Sequence, residues 1–146
     1  MAQVSKHWVP KEIQERILSV FVKTLANLKT ERQVSLFVED LLTSTEKVML
    51  AKRVAIAFLL SKEYSYRQIS LMLNVSMSTI GWVSDKYKHA SKFKEIVDRV
   101  VKSEEIAQLW DHLGEKFALA MAVGKGRPFW GVVRNELQKE QKKRVF

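Results

Sequence analysis

What this chain lacks constrains it most. Its 146 residues include only two prolines, Pro10 and Pro128, and no glycine precedes Gly81. Proline removes a backbone donor and fixes φ, and glycine loosens the backbone, so the two are the chief punctuation of regular structure. A chain this sparsely punctuated favours long helices. Strand signals are weak, with no polar/apolar alternation bounded by turns. The expected fold is all-α.

The apolar pattern divides the chain. Pro10 suits the first turn of a helix, where its missing N–H goes unused. Ile13, Ile17, Phe21, Leu25 and Leu28 then recur every three or four residues as one stripe. Thr30 followed by Gln33 has capping-box spacing and opens a second helix carrying Val34, Phe37, Val38 and Leu41. Thr43 and Glu46 repeat the spacing before a third helix, Ser44 to about Glu63. Ser65 and Gln68 give it again.

The stretch Ser65 to Tyr87 is the most informative. A short helix through Leu73 turns Ile69 and Leu73 inward. Asn74 follows, a residue that tolerates the left-handed backbone of a tight turn. Val75 plugs the turn, and Ser76 caps a second helix whose Ile80, Val83 and Tyr87 share a face. This is a helix-turn-helix pattern, although any helical hairpin with a short connection reads similarly. Charge adds an independent argument. Lysine plus arginine number 25 against 16 aspartates and glutamates, a net +9, which suits a polyanion: nucleic acid first, an anionic membrane surface second. From Tyr64 to Ser84 there is no acidic residue, as a surface approaching phosphate requires.

With those residues in place, the chain resembles the Trp operon repressor superfamily. Leu42-Thr43-Ser44-Thr45-Glu46-Lys47, Leu50 and Arg53-Val54 resemble the entry to the helix before that family's reading pair. The pattern continues through Leu59-Leu60, Tyr64-Ser65-Tyr66-Arg67, Leu73 and Ser78-Thr79-Ile80, covering about residues 31–95 with a one-residue gap between Val54 and Leu60. The resemblance implies an intertwined helical dimer whose two heads enter successive major grooves. It also implies a slot where tryptophan lies between two arginines. Arg53 matches one of them, but Trp82 stands at the other position. Trp82 either fills the slot by stacking on Arg53 or lies on the surface, and both versions argue against L-tryptophan as corepressor.

Other chemistry is excluded or weak. The absence of cysteine removes disulfide scaffolds, zinc fingers, iron–sulfur clusters and thiol nucleophiles. His7, His89 and His112 are scattered without metal spacing, and no catalytic set stands out, so neither metal, cofactor nor enzyme activity is expected. The longest apolar run, Val54 to Leu60, falls far short of a membrane span. The N-terminus lacks the layout of a secretory signal, and the expected location is cytoplasmic. After about Ser103 the family offers no counterpart. Ile106, Leu109, Trp110, Leu113, Phe117 and Met121 form a further stripe, and Trp130, Val133 and Leu137 suggest a last helix before the basic end Lys139 to Arg144. Lys125-Gly126-Arg127-Pro128 resembles the core of a minor-groove AT-hook, but the same letters make a breaker between helices. Trp8, Trp110 and Trp130 could stack on a base or ligand; core roles suit Trp110 and Trp130 better.

These readings give two parts: residues 1–102, a dimerising body with the helix-turn-helix at 65–87, and 103–146, a helical extension. The expected function is a homodimeric, sequence-specific regulator of transcription that binds double-stranded DNA, with repression as its mode. Arg67, Lys86 and Lys88 would meet phosphates, while Ser76, Met77, Ser78, Thr79 and Trp82 would approach base edges or the adjacent backbone. The rivals are an RNA- or protein-binding helical module reusing the motif, and a small enzyme built from carboxylates.

Overall fold

A computed structural model describes residues 9–122 of the protein, with side chains through Gly114. His7, Trp8, the stretch 123–146 and the side chains of Phe117 and Met121 lie outside the described residues. Every regular element among them is a helix: α1 (Lys11–Asn27), α2 (Glu31–Leu41), α3 (Ser44–Ser61), α4 (Tyr66–Leu73), α5 (Met77–His89), α6 (Ser91–Val101) and α7 (Glu104–Ala122). The chain is all-α, as its scarcity of breakers implies. It divides into two compact units, Met1–Ala51 and Lys52–Phe146.

In the first unit local hydrogen bonding sets the helix starts. Pro10 sits at the N-cap, one position before the expected first turn, and its carbonyl accepts from Ile13 and Gln14. Thr30 caps α2 through Gln33 N–H at 3.2 Å, but the Gln33 side chain reaches back to Lys29 N–H at 2.8 Å, so the box closes one residue early. At Thr43 the box is complete. Its N–H donates to Glu46 Oε2 at 2.8 Å, and its hydroxyl oxygen accepts from Glu46 N–H at 3.3 Å. The bonds from Thr43, backbone first, hold the Glu46 carboxyl below its usual range. Lys47 pairs with Glu39 at 2.7 Å and ties α2 to the start of α3. Neither α1 nor α2 has a buried residue: Ile13, Ile17, Phe21 and Leu25 form an exposed stripe, and Val34 and Leu41 are exposed as well.

The second unit holds the core. Ile56 and Leu59 of α3, Ile69 and Leu73 of α4, Ile80 and Val83 of α5, and Val97 of α6 are almost wholly removed from water. Burying such side chains is worth about 1.5–3 kcal/mol each, which outweighs the weak propensity of so short a helix as α4. α7 adds Ile106, Trp110 and Leu113 at the core's edge, with Trp110 edge-on to Phe58 at 5.8 Å between ring centroids. Leu109, expected on that inward stripe, is 59% exposed because it lies one residue off the Ile106–Trp110–Leu113 line.

α3 ends at Ser61, two residues earlier than the apolar pattern suggested, through a left-handed stop. Glu63 takes φ 63°, Glu63 N–H bonds Leu60 C=O at 3.0 Å, and Tyr64 N–H bonds Leu59 C=O at 3.1 Å. This is the Schellman arrangement, with Tyr64 folding back on the core.

Candidate nucleic-acid interface

The helix-turn-helix is assembled by caps and one left-handed residue. Ser65 and Gln68 form a full capping box at the head of α4, the hydroxyl oxygen taking Gln68 N–H at 3.2 Å and the amide oxygen taking Ser65 N–H at 2.9 Å. Asn74 closes α4 at φ 50°, ψ 59°. Ser70 Oγ donates to Val75 C=O at 2.8 Å, bracing the turn from inside, and Val75 packs against the core. Lys52 Nζ reaches Asn74 C=O at 3.3 Å from α3, and partial burial lowers its pKa. Ser76 then caps α5 through Thr79 N–H at 3.2 Å.

Around that cap three hydroxyls share hydrogen bonds: Ser76 Oγ lies 3.0 Å from Ser78 Oγ and 2.9 Å from Thr79 Oγ1. Ser76 is therefore occupied with holding the helix start, and Thr79 is half-buried beside it. Met77, Ser78 and Trp82 are exposed on α5, as are Lys86 and Lys88 toward its C-terminus, where cations favour the helix dipole, and Arg67 on α4. The turn thus gathers all eight residues singled out for DNA contact onto two adjacent helices, but it does not present them alike.

Trp82 lies with Arg53 Cζ 5.1 Å and Lys86 Nζ 5.9 Å from its ring centroid. Beside this stack a groove of about 340 Å³ is lined by Arg53, Val54, Trp82, Val83, Lys86, Ala90 and Phe93. Trp82 is thus both half-exposed and stacked on Arg53, combining features of the two versions weighed from the sequence.

Ala90 and α6 carry no letters that the motif reading used. α5 breaks at Ala90, and α6 resumes at Ser91. Tyr87 Oη–H donates to Asp98 Oδ1 at 2.6 Å, and Lys94 Nζ–H donates to Asp98 Oδ2 at 2.7 Å and to Tyr87 Oη at 3.3 Å. The bonds from Lys94 and then Tyr87 hold the Asp98 carboxyl below its usual range. Burial, then the bond to Asp98, pushes the Tyr87 phenol up, and Asp98 keeps Lys94 protonated to higher pH. The signal was available in the (i, i+4) spacing of Lys94 and Asp98, but Tyr87 joins them only once the chain turns at Ala90. Ser84 Oγ, also unanticipated, is buried in α5 without a hydrogen-bond partner among the described residues.

A capped short helix, a left-handed asparagine and a second helix seated on Ile80 and Val83 define a helix-turn-helix protein, with no carboxylate from Tyr64 to Ser84, which suits DNA. The chain belongs to the Trp repressor family: the family's model, described as Trp repressor protein, matches residues 16–101, more than half its length. The match takes in most of α1 and all of α6, beyond the 31–95 legible from motif letters. This is a family of DNA-binding regulators of transcription. No curated protein and no solved structure matches the chain. Among the described residues no helix is long and apolar enough to cross a membrane, and no cluster of ligating side chains could hold a metal.

Proposed function

We propose that the protein is a homodimeric, sequence-specific repressor of transcription that reads double-stranded DNA with α5 of each copy. The observation that carries this reading is the exposed, carboxylate-free surface from Tyr64 to Ser84 on a fully formed helix-turn-helix. Arg67, Lys86 and Lys88 bind phosphates and set the register; Met77, Ser78 and Trp82 approach base edges, with Ser76 and Thr79 holding the helix start. No bidentate arginine or asparagine stands among the readers, so specificity rests on hydroxyl, methyl and indole contacts and is modest.

The second copy is inferred from α1 and α2. An exposed stripe of Ile13, Ile17, Phe21 and Leu25 is costly in water, and a matching stripe from another chain covers it. The two α5 helices then sit one DNA turn apart, about 34–36 Å. Bound at a promoter, such a dimer represses by occupying it. The division proposed from the sequence stands beside this: 1–102 as the dimerising, DNA-reading body and 103–146 as an extension, which α7 begins. Trp82, stacked on Arg53, fills the place of the second arginine that the family's slot needs and leaves only the groove beside the stack, so the dimer acts without L-tryptophan, and its place of action is the cytoplasm.

Duplex binding measured against salt tests the reading. Affinity should fall about a thousandfold or more from roughly 50 to 200 mM salt if about six phosphates are neutralised. Sedimentation at micromolar concentration should give a dimer. Salt-insensitive binding, or a monomer, would overturn it.

A further inference from the structure

α5 and α6 are joined by a single residue. Ala90 is the C-cap of one helix and the N-cap of the other, and no side chain caps α6. Its N–H bonds Lys86 C=O at 2.9 Å and its C=O accepts from Lys94 N–H at 3.1 Å, so both helices hang on one peptide hinge. Such a joint fixes the distance between the helices but leaves rotation about φ and ψ to change their angle. Val83 and Val97 pack in the common core, yet apolar contact is non-directional and tolerates sliding. Hydrogen bonds are directional, weakening steeply once donor and acceptor tilt.

Among the described residues, the side-chain hydrogen bonds between α5 and α6 converge on Tyr87. Its hydroxyl and Lys94 each grip a different oxygen of Asp98, at 2.6 and 2.7 Å, and Lys94 also lies 4.8 Å over the Tyr87 ring. Each member is thereby held by the other two, across two helices. Tyr87 packs against the core three residues before the hinge, two turns beyond Ile80, so a small change of angle there is magnified at the reading residues toward the N-terminus of α5.

We infer that Tyr87, with Lys94 and Asp98, forms a clasp that fixes the angle of the recognition helix and so the register in which it enters the groove. This rests on the reading of α5 as the DNA-facing helix. The three are positioning residues: they act on DNA through the helix they hold. Sequence-selective binding needs one pose of α5, whereas binding to arbitrary duplex rests on phosphate charge and tolerates several.

Tyr87→Phe is the discriminating variant, because it keeps the ring, its packing and the ring's contact with Lys94 and deletes one oxygen. Affinity for a duplex selected from a random pool should fall on the order of tenfold, the scale of one hydrogen bond to a charged group. Affinity for random duplex and the salt slope should not change. A merely structural role would lower the melting temperature and leave the selected-to-random ratio intact well below it. Tyr87→Phe combined with Asp98→Asn should cost little more than Tyr87→Phe alone, as members of one network do.

A second readout needs no DNA. The chain has no cysteine, so spin labels placed by Asp85→Cys and Arg99→Cys report the α5–α6 distance cleanly when labelled chain is diluted in unlabelled. The distance distribution should broaden in Tyr87→Phe. A selected-to-random ratio within twofold of wild type overturns the clasp. If wild type selects no sequence at all, the reading of α5 has failed instead, and an unchanged label distribution then overturns the clasp by itself.

Discussion

Trp82→Ala removes an indole that two cations share, and the geometry sets the expected cost. The residue is 54% exposed, so a little under half of it is withdrawn from water. That is about 100 Å² and about 2.5 kcal/mol at roughly 25 cal/mol per Å², an upper bound because the unfolded chain buries some of the same surface. Contacts of a cation with a ring at such exposure add about 0.5–1 kcal/mol each, while alanine returns about 0.5 kcal/mol of helix propensity. With the burial figure discounted by roughly a third for the unfolded chain, the net loss is about 2–3 kcal/mol, or about 10 °C of melting temperature for a chain of this size. A tryptophan lying idle on the surface would leave stability within about 0.5 kcal/mol. Melting curves at fixed chain concentration decide between the two. On the proposed reading the same stack takes the place of free L-tryptophan. A ligand present at about a hundredfold its dissociation constant adds about 2.7 kcal/mol, again about 10 °C, and by linkage one selective for the DNA-bound form also tightens DNA binding. Millimolar L-tryptophan should do neither. A Trp82→Ala protein that melts with wild type, or a saturable rise in wild-type melting temperature with L-tryptophan, would refute the filled slot.

Glu63→Gly should stabilise the protein by up to about 1 kcal/mol in urea titrations, since Glu63 holds φ 63° where a Cβ is strained and glycine is not. Ser84→Ala should stabilise by about 1 kcal/mol, because it removes a buried hydroxyl with no hydrogen-bond partner among the described residues and leaves the packing unchanged. Asp98 and Glu46 have depressed folded pKa values, so their share of stability is present above the ordinary carboxylate range and lost as pH falls through the folded values. The raised values of Tyr87 and Lys94 work at the other end: their share is complete below the unfolded values and lost as pH rises through the folded ones. Asp98→Asn should therefore flatten both limbs of the stability–pH curve measured by urea midpoint.

The sequence carried those parts of the fold whose cause is local. Thr43 with Glu46, Ser65 with Gln68, the left-handed Asn74 and the cap at Ser76 each depend on residues within four positions, and the structure forms all of them. The core face of α4 and α5 was legible for the same reason, since Ile69, Leu73, Ile80 and Val83 follow helical spacing. The start of α6 was not. Ala90 is a good helix former, and nothing in its neighbourhood says that the helix stops there; the break serves the packing of Val97 and the reach of Asp98 to Tyr87. Leu109 misled in the opposite sense, because an apolar residue adjacent to an inward line is indistinguishable from one on it until α7 is seated. At the candidate site the residue types were readable but their division of labour was not. Ser76 was readable as a cap, but Ser78 and Thr79 look equivalent as letters, and only the structure separates the half-buried Thr79 from the exposed Ser78.

The order of helices along the second unit bears on how the protein comes to exist in time. α4 meets α5, α5 meets α6 and α6 meets α7, and each pair is joined by one to three residues. Closing such short loops costs little entropy, and chains rich in sequence-local contacts fold in about microseconds to milliseconds. In the proposed dimer, covering the stripe on α1 with a second copy is instead a bimolecular step, whose rate depends on how many copies are nearby. On that proposal α1, which is made before the second unit, is finished after it. In the interval the newborn chain carries a folded reading head and an uncovered apolar helix, a state that many ribosomes translating one message would shorten by delivering copies side by side.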